Sequence, residues 1–460
     1  MKGFLQPMPR FILICLFLSF CLDDFFSSYM MFDGVFYANI SRNLAEGIGS
    51  FWTPMVNPWK VFYDHPPGSF WILSFFYKFF GESIWIEKIF SLMNILIIFF
   101  LTSLIYEKLK KKEPSFLPIL FLVICPLTYY LSKWNQLENL LVVFSLLSSL
   151  FFLKSFEAKV NRGVFLFSLI ASLFSIFAIL VKGVLAFPVF FIPFFLLVGK
   201  KITKRTFFSL GLYFFILFVF SLFSFYYKPS YHLWSIYFKK QVLASLLGKR
   251  EISLSYWKIY LVFLAEILPM FILSFLLFLN SYKKFIFKKE SISFLLIALS
   301  FLLPLGLSPK NRLWFLGLSL PYFALFFALL FSYIDFKSFS FGRLLYDSKT
   351  VFFALLFLMS SFLYSSLLTK RRQGFLGDFM VNRTQETQTW IQTKACPISL
   401  FNNWPLRANL ERHHKIAFGK TSDISFYFVD LNEKNSCPMK SCKIFSSSKE
   451  ERFALYQCPF

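Results

Sequence analysis

Val164–Val198 reads VFLFSLIASLFSIFAILVKGVLAFPVFFIPFFLLV, thirty-five positions that carry a single charge, Lys182. A bilayer-spanning helix needs about 20 mostly apolar residues. The stretch is therefore long enough for two crossings that meet at Lys182-Gly183, and it suits no soluble core. The rest of the chain repeats the pattern, with apolar runs near 11–22, 84–105, 115–131, 137–153, 164–181, 184–198, 206–226, 259–280, 291–307, 313–334 and 350–368. That gives about eleven spans. Composition over all 460 residues agrees: 57% are hydrophobic, 16% are charged and 71 are Phe, with a mean hydropathy of +0.61. Soluble domains carry roughly 25% charged residues, and a soluble globule of this length could not bury so much apolar surface. Soluble and disordered classes are excluded. The sequence specifies an all-α polytopic membrane protein with a small extramembrane addition at its C-terminal end.

The 48 Lys and Arg against 24 Asp and Glu leave a net charge of +24. In a soluble protein such an excess would suggest nucleic acid. Here the bases fall in short segments between apolar runs: Lys2 and Arg10, Lys108–Lys112, Lys154–Arg162, Lys200–Arg205, Lys283–Lys289 and Lys337–Lys349. With the amino terminus in the cytoplasm, every one of these segments is cytoplasmic, as the positive-inside rule requires. Membrane lipids with anionic headgroups replace nucleic acid as the partner of that charge. Segments 23–83 and 227–258, and the tail from 369, then lie outside. The first span has the basic start of a signal peptide, but Asp23-Asp24 follow it where small residues would mark cleavage, so an uncleaved anchor is expected.

The division expected is a transmembrane catalytic region over 1–368 and an α+β domain over 369–460, the latter large enough to fold alone. Ile424–Phe428 alternates like a strand, and Leu406–Lys415 suits a short helix. Cys15, Cys21 and Cys125 lie in or beside spans, where a thiol is a small hydrophobe. Cys396, Cys437, Cys442 and Cys458 all fall in the tail. An even set in an outside segment suggests two disulfides; zinc is the weaker alternative, because the spacing fits ligation poorly.

Polar residues gather at span ends on the outer side. In the first outer segment Phe36, Ile40 and Leu44 form one apolar stripe, with Arg42, Asn43 and Glu46 largely off it. The pattern reads as an interfacial helix lying on the bilayer, with Asp33 just before its start and Gly47 at its stop. Asp33 in that place is an N-cap unless chemistry claims it. Tyr63-Asp64-His65-Pro66-Pro67-Gly68 follows, its prolines holding Asp64 and His65 on a rigid, extended turn. Lys182, alone among apolar residues, needs a partner or an anionic ligand; snorkelling is the plainer reading.

These elements, in this order, together with Ser308-Pro309-Lys310, resemble the PMT-type GT-C glycosyltransferases. That group includes protein O-mannosyltransferases and the aminoarabinose transferase that modifies lipid A. The resemblance covers roughly residues 20–330. It implies a donor sugar on a polyprenyl phosphate, used on the outer side of the membrane. It also implies that the family's essential acid is Asp33, its Pro-Pro loop Asp64–Pro67, and its phosphate-contacting Lys-Gly Lys182-Gly183. Glu138 matches the acid after the third-to-fourth span turn, and Lys310 the late lysine. Two positions depart from the family pattern. Gly34 stands where many members have a second acid, which weakens a paired-carboxylate metal site. Trp314 stands where a tyrosine is common, aromatic for aromatic.

The chemistry implied is an inverting displacement, with Asp33 as the base for an acceptor hydroxyl and fixed cations on the leaving phosphate. Lys182 leads among those cations, followed by Lys310, Arg312 and Arg250. Asp64, His65 and Glu138 would orient the acceptor. A divalent cation on Asp33 and Glu138 is the open cofactor reading. No Gly-rich phosphate loop or nucleotide fingerprint occurs, which disfavours a sugar-nucleotide donor. A transporter or flippase of a lipid-linked saccharide is the alternative, although its charges should lie near mid-bilayer and not crowd at one face. Lipid A, a protein and an envelope glycan all remain open as acceptor. A bacterial inner membrane is the expected location, with the tail in the periplasm.

Overall fold

The computed structural model describes residues 8–25, 30, 32–110, 116–198, 200–247, 258–281, 289–307 and 312–332. Of the tail it describes 390–396, 407, 410–412, 415–419, 426–430, 442–447 and 453–457. In chain order the elements begin with α1 (Met8–Phe25), α2 (Phe32–Ala45), β1 (Gly49–Ser50), β2 (Thr53–Asn57), β3 (Lys60–Val61) and α3 (Gly68–Phe80). There follow α4 (Ile84–Lys110), α5 (Leu117–Val123), α6 (Pro126–Lys133), α7 (Leu137–Glu157) and α8 (Asn161–Lys182). After a 3-10 segment, Gly183–Phe191, come α9 (Ile192–Phe195), α10 (Lys204–Tyr226), α11 (Lys228–Tyr237), a π-helical turn and α12 (Ala244–Leu246). Helices α13 (Lys258–Ser281), α14 (Lys289–Leu302) and α15 (Leu320–Leu330), with the 3-10 segment Leu313–Leu318, precede strands β4 (Ile391–Cys396), β5 (Ile416–Phe418), β6 (Phe426–Asp430), β7 (Lys443–Ser447) and β8 (Phe453–Gln457).

Two compact units result. The first comprises Met1–Asp23, Tyr63–Ser69 and Ile89–Leu363; the second comprises Asp24–Phe62, Phe70–Lys88 and Tyr364–Phe460. Among the described residues six helical stretches are long and apolar enough to cross a membrane, while Pro9–Leu22 and Leu320–Leu330 are apolar but shorter. The run expected over 115–131 is two short helices, α5 and α6. Pro126 drives Cys125 to an extended backbone (φ −87°, ψ 119°) and breaks it there. The run expected over 350–368 lies outside the described residues.

In the first unit α7 is central, 78% of its apolar window being buried, against 22% for α10 and 28% for α13. The outer helices present Phe207, Phe215, Phe218, Leu264 and Phe275 outward, which accounts for a Phe content no soluble core could absorb. Helices α7, α8, α10 and α15 are joined by hydroxyls. Ser155, Ser168 and Ser209 bond one another at 2.7–2.9 Å, Ser148 meets Ser175 at 2.9 Å, and Tyr322 donates to Ser145 at 3.0 Å. Small hydroxylated residues let helices approach closely where lipid offers no hydrophobic drive to associate.

In the second unit, strands β1–β3 form an antiparallel sheet within the first outer segment, an element the sequence did not announce. Helix α2 packs on β2, where Asn39 and Asn43 both donate to Val56 O, at 2.6 and 2.8 Å. The one-sided interfacial helix expected here is corrected. Asn39, Ser41, Arg42 and Asn43 are as buried as Phe36 and Ile40, so neither face of α2 is left to a bilayer. Gly47 stops the chain after the helix at φ +81°, as expected. The tail is a five-stranded mixed sheet, order β5-β4-β6-β8-β7, over a core that includes Ile391, Leu410, Ile416, Phe428 and Leu455. Its expected strand at Ile424–Phe428 begins two residues later, at Phe426. Cys396 and Cys442 are disulfide-bonded, and Cys437 and Cys458 lie outside the described residues. Cys15, Cys21 and Cys125 are buried free thiols.

Candidate active site

The first unit has two chemically different ends. At one end Lys108 bonds Glu157 at 2.6 Å and Arg10 pairs with Glu107, so the start of α1 and the ends of α4 and α7 are neighbours. The basic segments over 154–162 and 200–205 belong to this end, Lys154 lying one turn before Glu157 and Lys200 being within the electrostatic reach of Glu157 and Lys108. The other end gathers the polar residues singled out in the sequence.

At that second end Glu138, in the first turn of α7, faces Lys182, the last residue of α8, at 3.0 Å. Both are buried, with side chains 1% and 2% exposed. Each charge sits at the helix terminus whose partial charge suits it, a carboxylate at an N-terminus and an ammonium at a C-terminus. The Lys182 ammonium also lies over the Phe315 ring, 5.5 Å from its centroid. Lys182 is thus a paired interior cation, and the snorkelling reading is set aside.

Gly183 makes the break after Lys182. Its backbone (φ +59°, ψ −122°) strains any residue with a Cβ, and a Cβ there would meet the Tyr237 hydroxyl at 2.4 Å. That hydroxyl accepts from Val184 N at 3.0 Å and donates to Lys182 O at 3.3 Å. Tyr237, the last residue of α11, staples the break. The Asp64–Gly68 turn abuts the same place, since a Cβ at Gly68 would lie 2.8 Å from Leu180 O. Tyr63 stacks edge-on against His232 at 5.4 Å. Arg312 lies over Trp314 at 5.7 Å, just ahead of Phe315.

Of the residues expected from sequence, the structure gathers Asp64 and His65 (both half-buried), Glu138, Lys182 and Arg312 on elements of this unit. Lys310 and Arg250 lie outside the described residues. Asp33 belongs to the second unit, half-buried and in the first turn of α2. The helix starts at Phe32, so Asp33 stands inside it and is not an N-cap. Tyr237 and Phe315 were missed as partners of Lys182; only their place in aromatic-rich segments marked them. For a cation, no group of three or more His, Cys, Asp and Glu occurs among the described residues. The Glu138 carboxylate is already balanced by Lys182.

Fold and site together define a polytopic membrane protein with charged residues gathered at one end of its helical unit. The model of the family described as dolichyl-phosphate-mannose-protein mannosyltransferase matches residues 64–226, the stretch that holds Asp64, Glu138 and Lys182. Two crystal structures of ArnT from Cupriavidus metallidurans share the fold over nearly the whole chain. The one bound to undecaprenyl phosphate has 13% identity, covers 97% of each chain and gives a TM-score of 0.66. The apo structure has 12% identity, covers 99% of this chain and 98% of that one, and gives 0.66. AglB, an oligosaccharyltransferase from Archaeoglobus fulgidus, matches at 12% identity and TM-score 0.47, over 92% of this chain and 69% of its own. No curated protein matches the chain in sequence.

Proposed function

We propose that the protein is an inverting membrane glycosyltransferase. It moves a sugar from a polyprenyl-phosphate carrier to a hydroxyl of lipid A, a protein or an envelope glycan, at the periplasmic face of a bacterial inner membrane. The observation that supports this reading most is the gathering of the Asp64–Gly68 turn, the Glu138–Lys182 pair and Arg312 at the end of the first unit remote from the basic segments. A transporter would place its charges along a path near mid-bilayer.

In the reaction Asp33 accepts the proton of the acceptor hydroxyl, whose oxygen attacks the anomeric carbon. The bond from that carbon to the phosphate oxygen breaks, and its electron pair leaves with the lipid phosphate. A phosphate departs readily, so fixed positive charge suffices to stabilise it. The Lys182 ammonium has three N–H donors; Glu138 holds it in place, and the phosphate becomes a further partner. Arg312, Lys310 and Arg250 supplement it, and Asp64 and His65 orient the acceptor.

The test is transfer of labelled sugar from polyprenyl-phosphate donors in membranes, wild type against Asp33→Asn. Removing a general base costs on the order of 10²–10⁴-fold, and a loss of that size at equal protein level is expected. Equal transfer by both removes Asp33 from the chemistry. No transfer from either, across several donors, favours the flippase.

A further inference from the structure

Two arginines distant in sequence are buried side by side in the second unit. Arg42, on α2, and Arg412, in the tail, are each 1% exposed. The Arg42 guanidinium donates to the backbone oxygens of Arg412 and Glu411 (the latter at 3.0 Å), to Asn39 Oδ1 at 2.8 Å and to Glu82 at 3.3 Å. Arg412 in turn bonds Glu82 at 2.7 Å, both Glu87 oxygens at 3.3 Å and the Tyr77 hydroxyl at 3.2 Å. Tyr77 donates to Glu87 at 2.6 Å. Arg42 also pairs with Glu46 at 3.7 Å and Glu46 with Lys415 at 3.0 Å, so the cluster holds three cations and three carboxylates.

Burying such a cluster gives little net stability, and its best-attested use is to fix registry. The helix whose registry is fixed carries Asp33 about two and a half turns upstream of Arg42. The same face of the helix is bonded to β2 through Asn39 and Asn43, whose amide oxygens also accept from Arg42 at 2.8 and 3.1 Å. We infer that Arg412 is a positioning residue for Asp33: through Arg42 it locks the azimuth of α2, so the tail is part of the catalytic device. This rests on the reading of Asp33 as base.

The test compares full-length wild type with Arg412→Lys, which keeps the charge but loses the planar fork that spans Glu82, Glu87 and Tyr77. A misplacement of about 1 Å can cost about 10²-fold. A fall in kcat approaching that size is expected, with the KM for polyprenyl-phosphate donor within about threefold of wild type. Hydrogen exchange should quicken in α2 while β4 and β6 keep wild-type protection. Unchanged exchange in α2 overturns the inference, as does a loosened α2 with full kcat. Loss of protection in β4 and β6 as well makes Arg412 a general stability residue and overturns it too. Absence of transfer by the wild type would instead overturn the glycosyltransferase reading, while the exchange data judge the tether separately.

Discussion

Glu138 and Lys182 are each isolated from water, and either charge left alone there would be costly. Removing one partner of such a pair costs about 3–5 kcal/mol. Lys182→Met is therefore expected to lower the melting temperature in detergent sharply, and Lys182→Met with Glu138→Gln to recover most of the loss without recovering transfer. Lys182 was legible in the sequence because a lone charge in an apolar run is conspicuous. Its pairing was not, because no local spacing links the start of α7 to the end of α8. Arg42 gave the opposite signal, since a base off an apolar stripe reads as solvated, whereas Glu82 and the tail's carbonyls, all distant in sequence, account for its burial. Glu411 is a further buried acid, and burial pushes its carboxyl from 4.5 up to about 7 against the opposing pull of Arg407, the Asn57 amide and Lys60. The folded state then binds its proton more tightly than the unfolded state does. Stability is fully present below pH 4.5, falls by about 3 kcal/mol as pH rises to 7, and is flat above. Glu411→Gln is expected to flatten that slope, which thermal melts across pH 4–8 would measure.

Among the elements, one break was more legible than the packing. The Lys182-Gly183 step marks an interruption that local backbone chemistry dictates, and the structure has it, whereas the break at Pro126, inside a run read as one span, was missed. The hairpin over Gly49–Val61 was hidden because Pro54 and Pro58 argue against strands. Pro54 is tolerated because its carbonyl still accepts from Phe62 N at 2.8 Å. Helix α2 misled by showing one stripe while burying both faces, an outcome set by partners distant in sequence. At the break after α8, Gly183→Ala is expected to cost at least about 1–3 kcal/mol in backbone strain and to displace Tyr237. Tyr237→Phe should cost about 1 kcal/mol and expose the Val184 amide to exchange. In the hydroxyl cluster Ser168→Ala should cost about 0.6–1.7 kcal/mol, readable in the same melts.

For the whole molecule, the open question raised by the broken α5–α6 stretch is whether the chain crosses there, since one crossing fewer reverses every later segment. Within the first unit the ion pairs answer it geometrically. Lys108 with Glu157 places the ends of α4 and α7 together, so these helices run the same way and the chain between them must return across the unit. Helices α5 and α6 do so over Leu117–Lys133, about 25 Å of rise at 1.5 Å per residue. The irregular backbone at Cys125 is tolerated because α5 is wholly buried in protein and away from lipid. Glu138 with Lys182 then returns α8 to the opposite end, the basic turn at 158–160 staying at the first. By the positive-inside rule that turn is expected in the cytoplasm and the Lys182 end on the opposite side of the membrane. Cysteines at Val160 and Tyr231, both exposed, would read this out against the wild-type background. A membrane-impermeant maleimide on intact cells is expected to label Tyr231→Cys at once and Val160→Cys only after permeabilisation. The reverse pattern would put the Lys182 end in the cytoplasm, where sugar nucleotides and not periplasmic acceptors are at hand, and would remove the periplasmic-transfer reading. Labelling of both in intact cells would mean that the chain between them crosses an even number of times, which the antiparallel α7–α8 pair and a crossing α10 could not satisfy together.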